Sequence, residues 1–142
     1  LELGKYRHNY LTNIIIKYFT KYKPDIVYTH SEFDLNIDHY HTFFSTFVAA
    51  RPNENYHIKK LLSFEIPSST EWGINNKFVP NYFVDTQKYQ KKKFLLLDQY
   101  RLEMKKPPHP RSVVNINALS IYRGGIVGLK HAEAFYVNKI IN

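Results

Sequence analysis

The chain has 142 residues, of which 44% are apolar, and carries 20 Lys and Arg against 12 Asp and Glu, a formal charge of +8. This length and composition fit one globular domain and exclude a disordered chain. Cysteine is absent, which excludes a disulfide scaffold, a cysteine nucleophile and a cysteine-based zinc site, so any metal must be held by His and carboxylate groups. No apolar run reaches the about 20 residues that span a bilayer, so we expect a cytoplasmic protein without a membrane span.

The first half of the chain alternates between helical and strand patterns. Residues 6–22 predict a helix that ends at Pro24 and has a four-residue repeat of Tyr10, Ile14, Tyr18 and Tyr22. Residues 25–29 predict a short buried parallel strand. After a polar loop, Asp38 predicts the N-cap of a second helix whose apolar positions are Tyr40, Phe43, Phe44, Phe47 and Val48.

The second half of the chain continues this alternation. Residues 58–66 and 82–85 predict strands, and Thr86 predicts the N-cap of a long helix that runs to Met104. A further helix is expected from about residue 112 to 122, closing at Gly124 and Gly125. The alternation of helices with short strands predicts an α/β fold with a mostly parallel sheet, in a single domain over residues 1–142.

The basic charge has two interpretations. A positive chain can bind nucleic acid, anionic lipid or an anionic substrate. Alternatively, a lysine-rich composition simply places Lys on solvated faces. The run Lys91 to Lys93 precedes the apolar part of a helix and is not interleaved with aromatic residues, which favours the second interpretation. We therefore expect no nucleic-acid partner.

Candidate metal-binding residues follow the strand at 25–29. Ligands bind beyond the carboxyl ends of the strands in open parallel sheets, and residues 30–41 hold three His and two Asp in that position. His39 and His41 are two residues apart on a helix and point about 200° apart, so they cannot share one metal. A neutral imidazole at His39 suits zinc. The alternative is that His39 only caps the helix and that His30 lies on the surface.

Four ordered segments resemble the LmbE/PIG-L family of zinc-dependent deacetylases. They are residues 23–39 (KPDIVYTH followed by DLNIDH), 63–73 (SFEIPSSTEWG), 108–112 (PHPRS) and 123–135 (RG through AEAF). The resemblance covers nearly all of the chain and implies a Rossmann-like three-layer α/β fold. It also implies hydrolysis of the N-acetyl group of an amino sugar or glycoconjugate, with His39 as a ligand of a Zn²⁺ cofactor.

The same resemblance implies parts that this sequence lacks. In the family, the other two zinc ligands and the Asp that acts as general base belong to an HPDD-type motif near the N-terminus. No His-Pro-Asp-Asp occurs here, and the only His-Pro is His109-Pro110. We therefore expect the N-terminal strand or strands of the fold to be missing and the fragment to be inactive alone. We also expect it to associate, as a homo-oligomer or through an open sheet edge at residues 25–29.

Further site residues are implied at matched positions. The residue three before the zinc ligand, a His in many relatives, is Asn36, whose amide can donate a hydrogen bond to an oxyanion but cannot carry a proton. His109 and Arg111 are candidates to take over that role, and packing of the loop between two helices is the alternative. The segment at 68–72 is polar with one large aromatic residue, as expected of a sugar-binding lip, and Ser69, Glu71 and Trp72 are its candidate substrate-binding residues. The alternative is that Trp72 packs in the core.

Three functions remain open from the sequence. In the first, a zinc-bound water hydrolyses the amide of an N-acetylated sugar, with a carboxylate base taking the proton of the water. The second is a non-catalytic remnant of the family, and the third is a basic nucleic-acid-binding module. Tight zinc binding separates the first from the others, whereas binding that weakens steeply with salt supports the third.

Overall fold

The computed structural model describes residues 8–74 and 77–141. The chain forms two compact units, residues Leu1–Val79 with Phe135–Asn142, and residues Pro80–Ala134. None of the described helices is both long and apolar enough to cross a membrane.

The first unit packs two helices against parallel strands. Its elements are α1 (His8–Tyr22), β1 (Ile26–His30), α2 (Ile37–Ala49), β2 (Lys60–Phe64), a short 3-10 helix (Thr70–Trp72) and most of β4 (Ala132–Ile140). Strands β1 and β2 are parallel, with His30 opposite Phe64. Strand β4 is antiparallel to β2, with Phe135 opposite Phe64 and a register shift after Leu61. The loop after β1 and the loop after β2 therefore leave the sheet at the same edge.

The second unit contains the remaining elements. These are β3 (Tyr82–Asp85), α3 (Gln90–Leu97) between two 3-10 turns (Gln87–Tyr89 and Asp98–Tyr100), α4 (Val113–Ile126) and the first residues of β4. Helix α4 contacts β3. In the part of the chain that the structure describes, the strand order is β1-β2-β4-β3, so β1 lies at one edge of the sheet.

The layered α/β architecture is confirmed, but the sheet is mixed rather than mostly parallel. The difference comes from β4, a nine-residue strand that the sequence did not predict and that returns antiparallel beside β2. Its burial follows no simple alternation along the strand. The period-2 signal that identifies half-buried strands is therefore weak in this segment.

The hydrophobic core of the first unit lies between the helices and β2. Its buried members are Phe19, Ala49, Ala50, Tyr56, Ile58 and Leu61. Helix α1 contributes Phe19, Ile15 and Ile16, whereas the four-residue repeat of Tyr10, Ile14, Tyr18 and Tyr22 is exposed. The four-residue repeat therefore lies on the exposed side of α1 and does not mark its buried face. Aliphatic side chains and Phe gain most from burial, while a Tyr can keep its hydroxyl in water.

Several helix boundaries also differ from the sequence prediction. Asn36, not Asp38, is the N-cap of α2. Thr86 makes no side-chain capping bond, and α3 ends at Leu97 rather than at Met104. Gly124 lies inside α4 instead of ending the helix, and a Cβ there would come within 2.6 Å of the Leu129 carbonyl oxygen. Gly124 therefore permits a close approach of backbones.

Candidate active site

The loop from β1 to α2 is shaped by side chains that bind its own backbone. The Phe33 N–H donates to Ser31 Oγ (3.2 Å), and the Asn36 N–H donates to Asp34 Oδ1 (2.9 Å). Asn36 Oδ1 then accepts the Asp38 N–H (2.9 Å), which caps α2. Such side-chain turns let the chain pass from strand to helix within six residues. They place His39 in the first turn of α2.

Asp34 is the centre of the hydrogen-bond network in this loop. Its side chain is fully buried (0% exposed) and accepts bonds from Thr70 Oγ1 (2.6 Å), from Ser69 Oγ, from the Asn36 N–H and from His39 Nδ1 (2.9 Å). Burial by itself raises the pKa of this carboxyl group. The bonds from Ser69, Thr70, Asn36 and His39 outweigh that effect and hold the pKa below its usual value of 3.8. Asp34 is therefore an ionised, fully partnered carboxylate at neutral pH.

The contact with Asp34 fixes the state of His39. An ionised carboxylate only accepts hydrogen bonds, so His39 Nδ1 carries the proton. In a neutral imidazole the other nitrogen, Nε2, then bears a lone pair. The His39 side chain is 21% exposed, which keeps the ring accessible from outside. A carboxylate behind a histidine in this way is the arrangement that orients histidine ligands of metals.

His30 lies against His39. The sequence placed it among the three His of the segment 30–41, without a defined role and with a surface position as the alternative. The two rings stack with centroids 4.2 Å apart and an interplanar angle of 19°. Burial and, to a smaller extent, the neighbouring His39 together lower the pKa of His30 to about 4, and Asp34 only partly opposes them. His30 is therefore neutral at physiological pH. The signal that could have found it is its position as the last residue of β1, in the same segment as His39.

The backbone of His30 is anchored by β2 and β4. Ser63 Oγ donates to the His30 carbonyl oxygen (2.9 Å) and accepts from Asn138 Nδ2 (2.8 Å). The His30 ring also contacts Phe64, with centroids 5.0 Å apart. His30 Nδ1 is buried without a hydrogen-bond partner among the described residues. The ring is thus held by stacking and by its backbone rather than by polar contacts of that nitrogen.

The predicted substrate-binding residues lie close to this network in the first unit. Ser69 donates to Asp34, as described above. The Glu71 carboxylate accepts the backbone N–H groups of Ser68 (2.6 Å) and Ser69 (3.0 Å). Trp72 is 65% exposed and does not pack in the core. Ser69 and Glu71 are used by the fold itself, and a substrate contact by any of the three stays a prediction.

The other two predicted residues, His109 and Arg111, lie in the second unit, on the loop before α4. His109 Nδ1 accepts the Arg111 N–H (3.1 Å), and the Arg111 guanidinium pairs with Glu103. Asn115 Nδ2 donates to the carbonyl oxygens of Pro108 (2.9 Å) and His109 (3.1 Å). These contacts explain how the loop is held, and a catalytic role for His109 or Arg111 stays a prediction.

Among the described residues, His39 has the chemistry of one zinc ligand. Within residues 8–74 and 77–141, no three His, Asp or Glu side chains converge as a metal-binding group. His39 by itself has the properties of a ligand, because Asp34 holds its Nδ1 proton and leaves Nε2 able to bind. Asn36 lies at the same helix start, with its amide nitrogen not used by the cap.

Comparison with known proteins supports the fold. No protein-family model and no curated protein sequence matches the chain. Solved structures do match it: a conserved protein of Thermus thermophilus (17% identity, TM-score 0.73, covering 94% of this chain and 60% of that one) and 4-carboxy-2-hydroxymuconate hydratase of Pseudomonas putida (16%, 0.70, 96% and 61%). The N,N′-diacetylchitobiose deacetylase of Pyrococcus horikoshii, in complex with an inhibitor, matches at 14% identity and a TM-score of 0.65, covering 92% of this chain and 51% of that one.

These matches define the class of fold. The described α/β architecture is the LmbE-like fold expected from the sequence, and this chain shares it with a deacetylase and a hydratase to which it is less than 20% identical. The chain spans about half to three fifths of the length of these proteins.

Proposed function

We propose that this chain contributes one part of a zinc-dependent active site that hydrolyses the N-acetyl group of an amino sugar or glycoconjugate. The observation that carries the proposal is the His39–Asp34 pair, a histidine whose Nδ1 is bound by a buried carboxylate, at the carboxyl edge of parallel strands. The similarity of the fold to that of a chitobiose deacetylase supports this reaction class.

The chain's own residues have distinct parts in this proposal. Zinc, when bound, provides a water of lowered pKa and polarises the amide carbonyl. His39 would hold the metal through Nε2, and Asp34 keeps the ring in the tautomer that leaves this nitrogen free. His30, stacked on His39, restricts rotation of the ligand ring.

Asn36 suits stabilisation of charge rather than proton transfer. Its Oδ1 accepts the Asp38 N–H, so its Nδ2 group is left as the donor. A fixed amide donor can stabilise the oxyanion that forms when water attacks the amide. An amide cannot take the proton of that water, and we assign the general base to an HPDD-type motif, which this sequence does not contain.

The test combines metal content and reaction. The chain is joined to a segment that carries an HPDD-type motif, in cis or as a separate peptide, and dialysed against zinc. We expect about one zinc per chain, measured by elemental analysis, and release of acetate from N-acetylglucosamine. His39→Gln should lose both, whereas the matched variant of the exposed His57, His57→Gln, should lose neither.

The outcome also decides between the competing functions. Zinc retention and full activity in His39→Gln would exclude His39 as a ligand. A joined chain that binds no zinc would favour the non-catalytic remnant. Binding to DNA or RNA that weakens steeply between 50 and 200 mM salt would favour the nucleic-acid-binding module. The cytoplasmic location stays a prediction.

We also propose that the chain associates through β1. This strand lies at the edge of the described sheet, its side chains Ile26 and Tyr28 are 46% and 52% exposed, and it contains no Pro or Lys. Unpaired backbone groups at such an edge favour pairing with another strand. Light scattering should show a mass that rises with concentration for the wild type and a monomer for Ile26→Lys. Ile126→Lys, on the equally exposed end of α4, should behave as the wild type, and association in both variants would contradict the proposal.

A further inference from the structure

A cavity of about 220 Å³ opens beside the candidate active site, within the first unit. It is lined by residues 31–33 of the loop after β1, by residues 77–79, and by Tyr136 of β4. Ser63 of β2 and Asn138 of β4 also line it, and these two strand residues are here called its floor. The loop after β1 leads directly to Asp34. The cavity therefore lies at the edge of the sheet where the parallel strands end, the usual position of ligands in open α/β sheets.

The floor of this cavity is polar and already ordered. Ser63 is 2% exposed, and its hydroxyl donates to the His30 carbonyl oxygen while it accepts from Asn138 Nδ2. This contact fixes the orientation of the Asn138 amide and leaves its Oδ1 as an acceptor. Because Ser63 also anchors His30, the floor is structurally linked to the residue that stacks on His39.

The walls of the cavity combine aromatic and charged groups. Phe33 and Tyr136 line it with ring surfaces. Glu32 and Lys77 add one negative and one positive group, and Lys77 Nζ is positioned by the carbonyl oxygens of Glu71 and Gly73, each at 3.3 Å. The volume is below the roughly 300–1,000 Å³ of pockets for drug-sized ligands, so the cavity suits a single small ring.

These groups match one class of ligand. A pyranose has an apolar C–H face and an edge of hydroxyl groups, so it requires an aromatic surface on one side and hydrogen-bonding groups on the other. An aliphatic ligand would make no use of the Asn138 Oδ1 acceptor, and a free anion would meet Glu32.

We propose that this cavity is the subsite for the pyranose ring of an amino-sugar substrate. Tyr136 covers the C–H face, and Asn138 Oδ1 and Glu32 accept hydrogen bonds from hydroxyl groups. The choice of an amino sugar rests on the proposed deacetylase function. The subsite itself rests on the cavity and needs no metal, so it recognises the ring and not the acetyl group.

The test is NMR of the ¹⁵N-labelled chain, without metal, titrated with N-acetylglucosamine and with glucosamine. Both sugars should shift the Asn138 side-chain amide signals and the backbone signals of Glu32 and Tyr136. Tyr136→Ala should weaken binding about fivefold to tenfold through the lost ring contact. Glu32→Gln, at an exposed position of the loop after β1, should weaken binding by a few-fold. Tyr122→Ala, which removes an exposed Tyr of α4, should bind as the wild type.

Other results would overturn the subsite. These are the absence of any shift at saturating sugar, shifts confined to the surroundings of Trp72, or unchanged affinity in both Tyr136→Ala and Glu32→Gln. His39→Gln separates the subsite from the proposed function, because it should bind sugar normally while it loses zinc. Zinc-dependent deacetylation without sugar shifts at the cavity refutes the subsite and leaves the function. Sugar binding at the cavity without deacetylation by the joined chain refutes the function and leaves the subsite.

Discussion

Two polar loops in this chain each lead into a helix capped by a side chain, and they are held together in different ways. The loop before α2 is built around Asp34, whose carboxylate binds Ser69 and Thr70, 35 and 36 residues away. The loop before α4 is held by neighbours: Arg111 pairs with Glu103, eight residues away, and Asn115 binds the carbonyl oxygen of Pro108, seven residues away.

The two loops therefore differ in how they are organised: the loop before α2 surrounds a buried carboxylate, whereas the loop before α4 is held by contacts between near neighbours in sequence. A buried carboxylate is costly unless several donors meet it, and the donors at Asp34 come from distant segments and leave one imidazole oriented toward the outside. The ion pair of Arg111 is partly exposed and its partner Glu103 is 67% exposed, so it needs no such arrangement. The buried polar network around Asp34 is the feature on which the proposed site in the first loop rests.

The largest expected effect is that of Asp34→Ala. Removing the carboxylate leaves the buried hydroxyl of Thr70 and the His39 ring without their acceptor, which should lower the free energy of unfolding by about 2–4 kcal/mol. Urea unfolding of the chain, followed by circular dichroism, measures it. The matched variant Asp98→Ala removes only an exposed i,i+3 ion pair and should cost less than about 1 kcal/mol. Equal costs for the two variants would contradict the central role of Asp34.

The second largest expected effect is a dependence of the unfolding free energy on pH, which arises from His30 and Asp34. The pKa of His30 is about 4 in the folded chain and 6.5 in the unfolded chain, so the unfolded chain binds more protons between these values. Stability is therefore complete above pH 6.5 and falls as the pH decreases toward 4. The depressed pKa of Asp34 adds a further loss below about 3.8, in the same direction.

The variant His30→Gln tests whether the loss of stability at low pH arises from His30. Between pH 7 and pH 5 the wild type should lose about 1–2 kcal/mol of unfolding free energy, and most of that loss should disappear in the variant. His57→Gln should retain it, because His57 is exposed. A wild-type stability that does not change over this range, or a loss that persists in His30→Gln, would show that His30 is not buried against His39 as described.

The smallest expected effect is in the second loop. Arg111→Ala removes a partly exposed ion pair and should change the unfolding free energy by less than about 1 kcal/mol. The deacetylase activity of the same variant should also be measured in the zinc-loaded chain that is joined to the HPDD-type segment. A large loss of kcat at unchanged stability would give Arg111 the direct role that the sequence suggested, and the second loop would then be part of the site.

The elements that the sequence predicted well are those whose signals are local. Strand β1 and helix α2 follow short patterns of apolar residues. The structure places the bounds of β1 within one residue, and the N-cap of α2 within two residues, of the prediction. The buried face of α1 could not be read from its tyrosine repeat, because whether a Tyr faces the core depends on what packs opposite it. Strand β4 was missed because its burial is set by its neighbours in the sheet and not by alternation along the chain.

The candidate site was predictable only in part for the same reason. His39 and Asn36 could be named because they lie in one continuous segment with a recognisable motif. The role of Thr70 could not, since its bond to Asp34 exists only after β1 and β2 have paired. The stacking of His30 on His39 likewise depends on how the strand end meets the first turn of α2.

The long-range contact of Asp34 has a consequence for the order in which this protein folds. Its bonds to Ser69 and Thr70 close a loop that contains α2 and β2, and the entropy cost of that closure is repaid only once the strands have paired. The imidazole of His39 is therefore given its tautomer and direction late, after the β-α-β crossover is complete. An unfolded or partly folded chain offers only a freely rotating histidine, so the proposed binding of metal by His39 would report that folding has finished.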